Sequence, residues 1–163
     1  MNKEKARRIL DALKKHYPNA KIILNYSNNF ELLVSVMLSA QTTDLQVNKV
    51  TTILFPKYQK PNKKYKNNYL KYKNLKLDKK ELTEIVNFAL ADLANLENDI
   101  KSIGLYKNKA KNIKASGQML LDKYNGIIPK TILELTSLPG VGRKTANVVL
   151  GNAYRIYEGI AVD

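Results

Sequence analysis

Residues 135–153 read LTSLPGVGRKTANVVLGNA. Gly140 and Gly142 flank Val141 between two short helical patterns, so the backbone can turn tightly with little side-chain obstruction. Such a turn leaves backbone N–H groups open to an approaching phosphate. The helix expected from about Arg143 to Tyr154 adds the positive end of its dipole at the same place. A site of this kind grips a sugar–phosphate backbone without reading base sequence. The same residues also suit a plain αα-turn with glycine caps, and local physics leaves both readings open. Taken alone, Lys144 is one more solvated cation in a basic chain. Other chemistry-bearing types are sparse. One His, His16, argues against a histidine metal site or a His-based triad. The absence of Cys excludes a disulfide scaffold, a thiolate zinc site and a cysteine-held iron–sulfur cluster within these residues.

The elements that must position this turn read as helices. Residues 3–16 put Ala6, Ile9, Leu10 and Leu13 on one face, and Pro18 stops that pattern. Phe30 to Ser39 is apolar almost all round, as in a helix buried in a core. Thr43 and Gln46 have capping-box spacing, predicting a helix from Asp44 to about Phe55, ended by Pro56. Asp78 with Glu81 predicts another start, carrying Leu82, Ile85, Val86 and Ala89. A short helix is expected over about Leu93 to Ser102. One capped by Asn108 should end at Tyr124-Asn125-Gly126, and one or two turns span Thr131 to Thr136. No alternating strand pattern of useful length occurs, so an all-α fold is expected.

The net charge of +14 over 163 residues invites a nucleic-acid reading. Its distribution narrows that reading. Residues 57–80 hold ten Lys and one Asp, a net of +9, which leaves +5 for the rest of the chain. That run reads either as a solvated, partly disordered insertion or as an auxiliary phosphate-binding arm. Tyr58, Tyr65, Tyr69 and Tyr72 lie among its lysines and could stack on unpaired bases. No apolar stretch is long enough for a bilayer, and the N-terminal residues lack a signal-peptide pattern, so a soluble, cytoplasmic protein is expected.

LPGVGRKTANVVL resembles the helix–hairpin–helix of endonuclease III-type DNA glycosylases. FELLVSVMLSAQTTDLQVNKVT (30–51), IKSIGLYKNKAKNI (100–113), NGIIPKTILELTSLPGVGRKTANVVL (125–150) and IAVD (160–163) resemble segments of the same family in the same order. The resemblance covers most of the chain apart from 57–80. It implies a helix–hairpin–helix glycosylase fold, with a six-helix barrel over residues 21–163 and the hairpin motif at 132–154. Residues 1–20 would belong to an incomplete second domain, leaving Ile9 and Leu13 exposed.

The resemblance also implies base-excision repair. Lys144 matches the lysine that attacks C1′ of a damaged nucleoside, and Asp163 matches an assisting aspartate, with one residue more between them than expected. Positive potential from the helix N-terminus and Arg143 favours the neutral, nucleophilic amine. Attack expels the base and leaves a Schiff base, and β-elimination then cuts the strand. Gln41 matches the residue that fills the space of a flipped-out nucleotide, and Leu105 matches the apolar wedge between neighbouring bases. Leu138, Gly140, Val141, Gly142, Arg143 and Thr145 match the DNA-gripping hairpin. Asp44 suits either loop support or helix capping.

The implied activity is a bifunctional DNA glycosylase and abasic-site lyase acting on oxidised pyrimidines. Its partner is double-stranded DNA with a damaged base or abasic site, and the intact enzyme is expected to be a monomer. A family [4Fe–4S] cluster would need cysteines beyond residue 163, so the chain reads as truncated before that part, with no metal ligand of its own. The alternative is a non-catalytic helix–hairpin–helix fragment that binds DNA.

Overall fold

The structure, a computed structural model, describes residues 2–159. Among these residues the chain is all helical, with no strand, as expected. Helix α1 is Lys3–His16, with no buried residue. Its Ile9, Leu10 and Leu13 are exposed. Helix α2, Asn29–Ser39, lies at the centre, and every residue from Phe30 to Leu38 is buried. A helix apolar all round must be covered on every side. Helices α3 (Asp44–Tyr58), α7 (Tyr106–Lys123) and α9 (Arg143–Tyr154) pack directly against it. Between α2 and α9 in sequence come α4 (Lys66–Lys71), α5 (Lys79–Leu90), α6 (Leu93–Asp99) and α8 (Ile132–Thr136). Helix α5 lies along α7. Gly117 permits that closeness, because a Cβ there would sit 3.3 Å from the Ala89 backbone nitrogen.

Several helix ends differ from the sequence expectation. Pro56 does not end α3, which runs on to Tyr58. Thr43 accepts a hydrogen bond from the Gln46 N–H at 3.4 Å, but the Gln46 side chain does not complete a capping box and donates instead to Ser102 Oγ at 2.8 Å. Helix α6 stops at Asp99, short of Ser102. Asn108 lies inside α7, whose N-cap is Leu105 in the left-handed region.

The Lys-rich run is folded. A 3-10 turn at Lys63–Tyr65 leads into α4. All ten lysines of 57–80 are exposed, while Tyr58, Tyr65 and Tyr72 are buried and Tyr69 is half-buried. Tyr58 stacks on Phe88 with ring centroids 4.2 Å apart. Tyr65 donates to Leu90 O at 2.7 Å, Tyr69 to Asn87 Oδ1 at 2.6 Å and Tyr72 to Asp122 Oδ1 at 2.8 Å. The tyrosines therefore anchor the segment to α5 and α7. They are not held out for base stacking, and the partly disordered reading does not hold. The physical reason is amphipathic: each ring buries its face and finds a partner for its hydroxyl.

A buried carboxyl pair joins the start of α2 to α5. Glu31 accepts hydrogen bonds from Ser27 Oγ at 2.7 Å and Gln59 Nε2 at 2.6 Å. Asn28 Nδ2 donates to Glu84 Oε2 at 3.0 Å, while Glu84 Oε1 has no hydrogen-bond partner among the described residues. Burial, reinforced by the charge of Glu31 and opposed by the Asn28 hydrogen bond, pushes the Glu84 carboxyl up to about 8. The folded chain thus keeps a proton that the unfolded chain releases above the ordinary value of 4.5. Glu84 therefore makes stability fall as pH rises through that window, up to about pH 8. Glu84→Gln fixes a neutral side chain. Thermal melts should find its Tm advantage over the parent larger near pH 8 than near pH 5. An advantage equal at both would count against a protonated Glu84.

Candidate active site

Helix α9 is preceded by its N-cap Gly142, whose backbone is extended (φ −86°, ψ 174°), and among the described residues no side chain caps it. Before it, Gly140 takes φ +76°. The turn is closed by the Val141 N–H bonding to Leu138 O at 3.1 Å. Ser116 Oγ on α7 donates to Pro139 O at 2.8 Å and ties the turn to the core. The Leu138 and Val141 side chains are buried. Any contact they make outside the protein falls to their backbones. Gly140, Gly142, Arg143 and Lys144 are exposed, and Thr145 is half-buried.

The two glycines do different things. A Cβ on Gly140 would lie 2.6–2.9 Å from the Asn112 side chain, besides straining the left-handed backbone. A Cβ on Gly142 would meet nothing within 4 Å. Folding needs Gly140. Gly142 instead leaves open space beside the uncapped N-terminus of a 12-residue helix, where an anion is favoured.

An open cleft of about 800 Å³ runs beside this helix. Lys144, Thr145 and Val148 line one side. Gln41, Thr42, Thr43 and Asp44, from the loop joining α2 to α3, line another. The expected nucleophile and the expected gap-filling residue therefore share one cavity, although 103 residues separate them in sequence (144 − 41). Asp44 opens α3 at the cleft, and the capping atom there is Thr43 Oγ1. Asp163 lies outside the described residues.

Gln41 (φ 54°) and Leu105 (φ 58°) both hold left-handed backbone, which costs a non-glycine residue roughly 1–2 kcal/mol. Both side chains are exposed, Leu105 by 59%. Strained residues held by their surroundings collect at functional sites. Leu105 does not line the cleft, but its loop abuts the Gln41 loop. The Gly104 N–H donates to Thr42 Oγ1 at 3.2 Å.

Lys109 lies within the segment 100–113 that carries the family resemblance, yet sequence reasoning gives it no role. It is only 7% exposed, and burial holds its ammonium below the usual lysine range. Its Nζ donates to Leu38 O (2.8 Å), Ala40 O (2.5 Å) and Thr42 Oγ1 (3.3 Å). It thereby satisfies carbonyls at the C-terminal end of α2, where a cation suits the helix dipole. A signal is present all the same: Lys109 falls on the apolar stripe of α7 with Ala110, Ile113 and Leu120.

Residues 34–163 match the family described as HhH-GPD superfamily base excision DNA repair protein. The chain belongs to this family. It is 43% identical over 154 residues to endonuclease III of Bacillus subtilis (strain 168), a match spanning 94% of this chain and 59% of that protein. A solved structure of a non-covalent endonuclease III–DNA complex matches with 44% identity and a TM-score of 0.78 over 100% of this chain and 64% of the other. A trapped endonuclease III–DNA covalent intermediate matches with 44% identity and a TM-score of 0.79, over 100% and 65%. This chain thus spans roughly three-fifths to two-thirds of the length of such relatives. It has no Cys. Among the described residues no group of three or more His, Cys, Asp or Glu could hold a metal ion. The residues present therefore do not fit the [4Fe–4S] cluster that the resemblance implies. No described helix is long and apolar enough to cross a membrane.

The unequal glycines give a test. Gly140→Ala should lower the unfolding free energy by about 1–3 kcal/mol in urea titrations. Gly142→Ala should cost less than about 1 kcal/mol, the loss expected at an N-cap, yet weaken binding to duplex DNA. Equal loss of stability in both variants would count against the open-space reading of Gly142.

Proposed function

We propose that this chain acts in base-excision repair as a bifunctional DNA glycosylase and abasic-site lyase on oxidised pyrimidines. The observation that carries the proposal is the single cleft shared by Lys144 and the Gln41 loop beside an uncapped helix. Similarity to an endonuclease III trapped covalently on DNA supports a covalent step.

In this reading, phosphates of the damaged strand bind the backbone of Gly140 to Gly142 and the N-terminal end of α9, with Arg143 adding charge. Leu138, Val141 and Thr145 complete that grip. The damaged nucleotide turns out of the duplex into the cleft. Gln41 enters the gap, and Leu105 wedges between neighbouring bases of the stack. Lys144 Nζ attacks C1′, and the bond from C1′ to the base breaks. The base leaves with that electron pair and takes up a proton. Opening of the sugar gives a Schiff base between Lys144 and C1′. Loss of a C2′ proton then breaks the C3′–O bond and expels the 3′ phosphate, and water releases Lys144. Asp163 would stabilise positive charge developing at C1′ or move these protons.

The barrel spans residues 21–163 in this reading, and α1 belongs to a second domain. The exposed Ile9, Leu10 and Leu13 support that assignment. The enzyme works as a cytoplasmic monomer on duplex DNA, and the exposed lysines of 57–80 add sequence-independent affinity.

Borohydride trapping on an oligonucleotide with an abasic site tests the lysine. The chain should cross-link, and Lys144→Gln should abolish the cross-link while DNA binding persists. Binding by the parent chain with no cross-link would favour the non-catalytic alternative.

The lysine-rich segment is tested by substitution, since deletion would also remove Tyr65 and Tyr72 from the core. Replacing Lys63, Lys64, Lys66 and Lys73 by Gln should weaken DNA binding uniformly across sequences. The log–log salt slope should flatten by roughly one for each phosphate that is no longer neutralised. An unchanged slope would return these lysines to the role of a solvated face.

A further inference from the structure

We propose that Lys109 is a positioning residue that braces the Gln41 loop and the Leu105 loop into one rigid unit for entry into DNA. The inference rests on the DNA-repair reading above for what that unit does. The brace itself stands on hydrogen bonds within the protein.

Lys109 sits one turn into α7, and its backbone N–H bonds to Leu105 O at 3.1 Å. The side chain crosses to the other loop and meets Leu38 O, Ala40 O and Thr42 Oγ1. Gln41 lies between two of these acceptors. Thr42 Oγ1 also accepts from the Gly104 N–H. One residue therefore bonds to Leu105 through its backbone and to both neighbours of Gln41 through its side chain. Packing closes the remaining gap, because a Cβ on Gly104 would lie 3.1 Å from Gln41 O. The bond from Gln46 to Ser102 ties the same loops at the surface.

The energetics favour a cation here. Two left-handed, non-glycine residues are costly and persist only if their surroundings determine them. The carbonyls of Leu38 and Ala40 end a buried helix with no further residue of that helix to bond them. An ammonium supplies three donors at once, and charge-assisted hydrogen bonds are roughly twice as strong as neutral ones. Methionine has similar length and volume but supplies none, so Leu38 O, Ala40 O and Thr42 Oγ1 lose the donor they share. The consequence for chemistry is geometric. In the proposed reading Gln41 enters the gap while Leu105 wedges between neighbouring bases, and a loose brace lets each arrive alone.

Hydrogen–deuterium exchange on the free chain reads the brace directly. Lys109→Met should raise exchange in residues 39–43 and 102–106 together, while exchange in the hairpin at 138–142 stays as in the parent. If Lys109→Met does not fold, Thr42→Val removes the shared acceptor with little change of volume and should loosen both loops. Thr42→Ser retains the hydroxyl and should preserve parental exchange. The second readout compares single-turnover rates on two DNAs. Lys109→Met should slow base removal from a paired, oxidised pyrimidine roughly ten- to hundredfold more than cleavage at a ready-made abasic site. A merely structural lysine would slow both alike. Unchanged exchange, loosening of one loop only, or equal loss on both DNAs would overturn the brace. Inactivity of the parent chain on both DNAs would instead defeat the proposed function, and the exchange result would still decide the role of Lys109.

Discussion

Complete burial of α2 is the constraint on which the rest of the structure depends. Phe30 to Leu38 leaves no face for solvent, so α3, α7 and α9 must close around it. Each brings a needed part when it does so. Helix α9 brings the hairpin and Lys144, α7 brings Leu105 and Lys109, and α3 begins where the Gln41 loop ends. The cleft lies where the central helix ends and its covering helices diverge.

Burying Phe30 to Leu38 leaves the backbone groups at both ends of the helix to be satisfied, and the two ends are handled with opposite charge. At the N-terminal end Asn28 caps the Glu31 N–H, while the carboxyls of Glu31 and Glu84 lie together. One proton held on Glu84 avoids two adjacent buried anions. At the C-terminal end Lys109 takes the carbonyls of Leu38 and Ala40. Lys114 does the same for Ala91 O beyond the end of α5, at 2.5 Å. Two lysines spaced five residues apart on α7 thus close the C-terminal ends of two neighbouring helices. In a chain with 28 Lys and Arg, lysine serves as internal capping material as well as surface charge.

That double use explains which features are legible in the sequence. The helical pattern, the buried α2 and the Gly140–Lys144 turn can be read because each is local: periodicity, all-round apolarity and glycine spacing need no partner. Lys109 cannot be assigned that way, because its acceptors lie about 70 residues away. Its place on the apolar stripe of α7 separates it from its exposed neighbours Lys107 and Lys111, but does not say which groups it meets. Gln46 shows the same limit, since its spacing from Thr43 fits a capping box while its side chain finds Ser102 instead. The tyrosines of 57–80 mislead for a related reason. A polar, lysine-rich run masks the face on which its four aromatic residues converge.

The site therefore depends on long-range polar contacts as much as on the recognisable motif. The hairpin supplies backbone and charge for a phosphate, and a single turn could do that in many settings. The proposed attack at C1′ needs more: a nucleotide held outside its stack, with the vacancy filled from two loops that are remote in sequence. Left-handed backbone at Gln41 and Leu105 aims those side chains outward. Flexible loops would reach the same conformations only part of the time and lose affinity by that fraction. A buried ammonium shared by both loops removes that loss by holding them in advance. On this argument the lysine proposed as nucleophile at the surface relies on a second lysine in the core: Lys144 for the bond it would make, and Lys109 for the geometry that would deliver the nucleotide to it.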